Sequence, residues 1–141
     1  MDKEWEEVRL FHLKFNHPIA ESPRGMDLDR AIARYNWMKE EIEEFLEAVR
    51  KDDLVEQADA MIDEIYFALG TLVEMGIKPD KLFEIVQKAN MSKLWEDGKP
   101  HYNCEGKTIK PSTWKDPHED LEKVINDMRP VSEKKDGDYN D

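Results

Sequence analysis

Residues 40–63, EEIEEFLEAVRKDDLVEQADAMID, decide how the rest of the chain is read. Both halves of the stretch have helical character, and on a helix residues three or four apart share a face. Glu41 with Glu44, and Glu56 with Asp59, therefore form two carboxylate pairs, and Asp63 extends the second by one turn. Between them, Asp52-Asp53 marks a tight connection, which makes the two helices antiparallel neighbours. Four or five carboxylates then converge. Such a set repels itself at neutral pH unless a cation occupies it, and a hard divalent ion with oxygen ligands, Mg²⁺ or Mn²⁺, is the natural partner. The competing reading is plain: Glu is a good helix former, and acidic runs on helices are most often solvated.

Helical phase weighs against that plain reading. At about 100° per residue, the main apolar stripe of the first helix runs through Leu28, Ile32, Tyr35, Ile42, Phe45, Leu46 and Val49. Glu41 and Glu44 instead share a flank with Arg34, Trp37 and Ala48, a poor composition for a solvated face. In the second helix the stripe is Leu54, Ala58, Met61, Ile65, Leu69 and Leu72, and the opposite face runs Glu56, Asp59, Asp63, Phe67, Gly70. Both acidic faces read as covered by further helices, with a partner subunit as one possible source.

Working outward, residues 3–15 carry Trp5, Val8, His12 and Phe15 at helical spacing, which predicts a short first helix ended by Asn16-His17-Pro18. His12 and His17 read as structural rather than ligating. The long second helix starts near Asp27 and ends at Arg50 or Lys51, its terminal charges matching the macrodipole. Asp53 is the expected N-cap of the third helix and Gly76 its C-terminal stop. Pro79 is placed at the first position of a fourth helix, which leads into Asn90-Met91-Ser92-Lys93, where Asn90 and Lys93 lie one turn apart. Beyond Glu96, Asp97-Gly98-Lys99-Pro100 and Asn103-Cys104-Glu105-Gly106-Lys107 are turn signals that predict a small hairpin. Its Lys99, Lys107 and Lys110, next to Lys93, form a basic group suited to phosphate. A weak helix is expected over 118–128. Residues 1–130 are read as one domain and 131–141 as a polar, disordered tail.

The 141 residues hold 33 acids against 21 Lys and Arg, a net charge of −12. Nonspecific nucleic-acid binding depends on phosphate neutralisation by basic residues, so nucleic acid is excluded as a partner. No apolar run is long enough for a bilayer and no secretory segment opens the chain, so the expectation is a cytoplasmic protein without a membrane partner. The single Cys104 reads as a loop residue.

The pattern Glu41-Ile42-Glu43-Glu44, spacer, Glu56-Gln57-Ala58-Asp59 resembles the all-α nucleotide pyrophosphohydrolases of the MazG and phosphoribosyl-ATP pyrophosphohydrolase type, which include dimeric dUTPases. Arg34, Asp59-Ala60-Met61-Ile62-Asp63 with Tyr66, Gly76-Ile77, Asn90-Met91-Ser92-Lys93, Asp97-Gly98-Lys99-Pro100 and Gly106-Lys107 extend the resemblance over residues 10–117. The spacer between the acid pairs is short for that family. The resemblance implies an all-α bundle of four to five helices with a small C-terminal hairpin, assembled as a homodimer or homotetramer. It implies hydrolysis of a nucleoside triphosphate between its α and β phosphates with two or three Mg²⁺ or Mn²⁺ ions. It also implies metal ligation by Glu41, Glu44, Glu56 and Asp59, with Glu40 holding a further metal or orienting water. Lys93, with Asn90 and Lys99, would grip phosphates, Asp63 would contact the sugar or the ligand shell, and Arg34 and Trp37 would line the nucleotide pocket. Two alternatives stand beside this: phosphoribosyl-ATP as substrate, and a noncatalytic acidic module binding a protein through its Trp37 and Phe67 faces.

Overall fold

The computed structural model describes residues 1–134; of the expected tail, residues 135–141 lie outside the described residues. The chain divides into two units, Met1–Pro79 and Asp80–Asp141. The first holds α1 (Asp2–Lys14), α2 (Leu28–Arg50) and α3 (Leu54–Met75). The second holds α4 (Asp80–Met91), a two-stranded antiparallel ribbon of β1 (His101–Tyr102) and β2 (Thr108–Ile109), α5 (His118–Asp127) and a 3₁₀ turn, Val131–Glu133. The protein is all-α apart from that ribbon.

In the first unit, α2 and α3 form the expected hairpin and α1 packs on α3. The turn is closed by local chemistry. Asp53 caps α3 by accepting the Glu56 amide at 3.1 Å, which satisfies one of the amides a helix start leaves unpaired. At the other end Gly76 adopts φ 67°, and a Cβ there would lie 2.5 Å from the Ser22 carbonyl oxygen. Only glycine supplies that left-handed stop with the 18–27 connection so close. That connection is tied to the end of α3 by Ala20 N–H to Val73 O and Arg24 N–H to Met75 O. Trp5 and Val8 of α1 meet Leu69 and Val73 of α3 to make the buried core, with Ile19 and Leu72 against it.

The apolar stripe of α2 does not enter this core. Leu28, Ile32, Tyr35, Ile42, Leu46 and Val49 are all exposed, Leu28 at 74%. The face turned inward carries buried Arg34 and Ala48 and half-buried Trp37 and Glu41. In α3 the same holds at the turn end, where Leu54 is 77% exposed, while Leu69 near the other end is buried. Hydrophobic phase thus identifies an apolar face on each helix, but in α2 that face looks outward.

In the second unit α4 packs on α5, and the Trp114 indole N–H donates to the Ala89 carbonyl at 2.8 Å, fixing the 110–117 segment to α4. Pro79 precedes α4 by one residue rather than opening it. Among the described residues no helix is long and apolar enough to cross a membrane.

Candidate active site

The α2–α3 hairpin brings two charge constellations inward. Toward its open end, Glu74 of α3 is buried and accepts from Arg30 Nε and Nη2 at 2.9 and 2.6 Å, with Arg34 Nη1 at 3.5 Å. Arg34, also buried, donates from Nε to Thr71 Oγ1 at 2.8 Å and from Nη2 to the Phe67 carbonyl at 2.9 Å. Burial pulls the Arg34 guanidinium below its usual range, and Glu74 opposes that pull. Buried charges persist when paired and hydrogen-bonded in this way. His12 joins from α1. Its Nδ1–H donates to the Pro18 carbonyl at 2.9 Å, and burial, followed by the nearby Arg34 charge, lowers its pKa. The neutral ring is the resident form. Gly70 makes room for the whole arrangement: a Cβ there would stand 2.5 Å from Arg34 Nη2 and 2.9 Å from His12 Nε2.

Trp37 and Phe67 lie beside this clamp with ring centroids 6.1 Å apart, and the guanidiniums of Arg30 and Arg34 sit 5.1 and 5.7 Å from the Trp37 centroid. The half-buried Trp37 and Phe67 thus pack on each other and beside the clamp within the hairpin.

The second constellation contains acids only. Glu41, half-buried on α2, has its carboxyl pushed up by burial first and then by the charges of Glu44, Asp63, Asp59 and Glu64. Glu41 Oε2 and Glu64 Oε2 are both buried without a hydrogen-bond partner. Of the acids expected to converge, Glu44, Asp59 and Asp63 do act on Glu41; Glu56, in the first turn of α3, is not among the groups that shift it. Glu40 and Glu56 are exposed. Among the described residues no group of three or more His, Cys, Asp or Glu is already drawn into a metal-holding arrangement. The convergence is one of field and burial rather than of closed coordination. Even so, an all-oxygen donor set with two partnerless buried oxygens fits a hard divalent cation.

In the second unit, Lys93 Nζ donates to Asn90 Oδ1 at 2.7 Å, so these two residues one turn apart do meet. Lys99 is exposed, its backbone amide held by Asp97 Oδ1 at 2.9 Å. Cys104 is exposed and free.

Two residues escaped the sequence reading. Glu74 stands in the apolar run Leu72-Val73-Glu74-Met75, and its signal was the pair Arg30 and Arg34, one turn apart on the neighbouring helix. Glu64 follows Asp63 directly and gives no periodic signal of its own.

The family described as phosphoribosyl-ATP pyrophosphohydrolase matches residues 8–90, which span α1 to α4 and include both constellations. The chain belongs to that family. Among solved structures, the chain is similar to a protein from Exiguobacterium sp. 255-15 described as a "putative NTP pyrophosphohydrolase". It is 35% identical over 86% of this chain and 93% of its own, with a TM-score of 0.50. No curated protein matches the chain. Membership in the family makes this a pyrophosphohydrolase fold with its acids on α2 and α3.

Proposed function

We propose that the protein is a metal-dependent nucleoside triphosphate pyrophosphohydrolase, converting an NTP or dNTP to the monophosphate and pyrophosphate in control of the nucleotide pool. The observation that carries this reading is Glu41: a half-buried carboxylate with a partnerless Oε2, set in the field of Glu44, Asp63, Asp59 and Glu64, each of which pushes its pKa up. Glu41, Glu44 and Asp59 would hold Mg²⁺ or Mn²⁺, with Glu56 reaching in from the first turn of α3. When bound, the ions polarise phosphate oxygens, offset developing charge and lower the pKa of a bound water. Glu40, exposed beside Glu41, is suited to accept a proton from the attacking water. In the second unit, Lys93 and Lys99 carry ammonium groups suited to phosphate, and Asn90 holds Lys93 in place. Asp63 remains a candidate for a sugar or outer-sphere contact. Arg34 and Trp37 act on a nucleotide through the wall they build together, since the Arg34 donors are engaged by Glu74, Thr71 and Phe67.

The exposed stripe Leu28, Ile32, Tyr35, Ile42, Leu46 and Val49 supports a homodimer or homotetramer, because so continuous an apolar face on one helix is the mark of an association surface. The family description favours a second substrate, phosphoribosyl-ATP, which requires scission of the same bond. The test is pyrophosphate release with Mg²⁺ or Mn²⁺ across the NTPs, dNTPs, dUTP and phosphoribosyl-ATP, with Glu41→Gln as the blank. Release from one or a few nucleotides, absent in the blank, supports the reading and names the substrate. Silence across the panel from folded protein would sink it.

A further inference from the structure

The end of α1 holds a group of aromatic rings that neither the core nor the charged constellations use. Phe11 stacks with Phe15, ring centroids 4.4 Å apart at 27°, and with His17, 5.7 Å apart at 20°. Tyr66 of α3 meets Phe11 edge-on at 5.7 Å. The way α1 stops builds this group. Asn16 turns left-handed at φ 56°, and the His17 amide donates back to the His12 carbonyl at 2.9 Å, which reverses the chain and returns the His17 ring to Phe11. Phe15 stays 63% exposed, with one face on Phe11 and the other open.

A single exposed apolar side chain needs no explanation; the place of this one does. Trp5 and Val8 lie with Leu69 and Val73, and Phe11 against Tyr66, so α1 runs antiparallel to α3. Phe15, one turn beyond Phe11, is therefore displaced along α3 toward Asp63 and Asp59. Tyr66 follows Asp59 by seven residues, two turns on the same face and about 10 Å along the axis. That offset is the reach of a ribose between a phosphate held at the acids and a base held at the rings. By helical phase Leu10 and Leu13, also exposed, lie well round α1 from Phe15, so α1 presents no continuous apolar stripe here for a partner protein to cover. A flat ring is the ligand that a parallel stack with one open face accepts. We propose that the open face of Phe15, backed by Phe11, is the stacking platform for the nucleobase of the substrate. Phe15 is then a specificity-determining residue, and the His17 ring and Tyr66 hydroxyl are the polar groups of the cluster suited to a base edge. The platform rests on the proposed function for its role in turnover, but binding of a base stands by itself.

The experiment is a ¹H–¹³C aromatic spectrum of the full chain labelled at phenylalanine, without divalent metal, in which Phe15→Leu assigns the Phe15 signal. It is titrated separately with adenosine, guanosine, cytidine and uridine, and with ribose as the control that lacks a base. The Phe15 signal should move saturably with at least one nucleoside and stay in place with ribose. Phe15→Leu keeps an apolar side chain but loses the ring. It should weaken that nucleoside's binding about tenfold, read from the nucleoside's own proton shifts, whereas Phe15→Tyr should retain most of it. In turnover, Phe15→Leu should raise KM about tenfold at a kcat within about twofold of the parent, with the melting temperature unchanged. A Phe15 signal unmoved by every nucleoside, or unaltered affinity in Phe15→Leu, overturns the platform. Nucleoside binding at Phe15 with silence across the nucleotide panel would refute the enzymatic reading and leave the platform standing. Full turnover by Phe15→Leu at unaltered KM and unaltered nucleoside affinity would do the reverse.

Discussion

The two charged ends of the α2–α3 hairpin are built from the same materials and come to opposite conclusions. At the open end, buried Glu74 meets Arg30 and Arg34, and His12 stays neutral against them. Toward the turn, Glu41 lies in the field of Glu44, Asp63, Asp59 and Glu64, all carboxylates. Each end contains a buried carboxylate oxygen without a partner, Glu74 Oε2 in one and Glu41 Oε2 with Glu64 Oε2 in the other. The difference lies in the remaining oxygen and its surroundings. A carboxylate already neutralised by two guanidiniums is a clamp between helices, whereas one surrounded by its own kind keeps its repulsion. Burial alone does not separate the two; compensation does.

The contrast can be broken most forcefully at the clamp. Arg34→Met removes the deepest guanidinium and leaves Glu74 with Arg30 alone, so chemical denaturation should register a loss of about 3–5 kcal/mol. A loss below about 1 kcal/mol, no more than an exposed pair is worth, would mean that the Arg34–Glu74 pair does not hold the hairpin. Gly70→Ala forces a methyl into the space of Arg34 Nη2 and His12 Nε2, and the same measurement should fall by about 1–3 kcal/mol. At the acidic end the sign reverses. Since the folded state raises the Glu41 pKa, ionised Glu41 opposes folding at neutral pH, and metal-free Glu41→Gln should melt at a higher temperature than the parent protein. A lower melting temperature would show that Glu41 is compensated after all. The smallest effect is a pH slope. His12 has its pKa lowered in the fold, so its contribution is complete above 6.5, its ordinary value, and is lost as the pH falls through the folded value. Melting temperature should therefore decline on acidification below 6.5 less steeply in His12→Gln than in the parent. Parallel declines would remove His12 from the account.

The elements of the hairpin were legible because their signals are local. Asp53 caps and Gly76 stops α3 through contacts within a few residues, and the hairpin turn was carried by Asp52-Asp53. The ribbon after Glu96 and the helix His118–Asp127 followed from turn residues and spacing for the same reason. The convergence of Glu44, Asp59 and Asp63 on Glu41 was legible because an antiparallel hairpin fixes which turns face each other. What phase could not tell is which face of α2 looks inward. Leu28, Ile32 and Leu46 are the more hydrophobic side, yet Arg34, Trp37 and Ala48 fill the seam, since the paired Glu74 makes a buried arginine tenable. That pairing spans forty residues of sequence and leaves no periodic trace. Glu64 was hidden by the same limit: its role depends on the buried neighbour it faces, Glu41, and not on its spacing from Asp63.

The central claim is that the acidic end binds a divalent cation and the clamped end does not. Calorimetric titration of Mn²⁺ into the metal-free protein tests it most directly, with Glu41→Gln and Asp59→Asn beside the parent. The account predicts saturable binding to the parent, lost or weakened on the order of 10²-fold in both variants. No binding to the folded parent, or undiminished binding to Glu41→Gln, would contradict it.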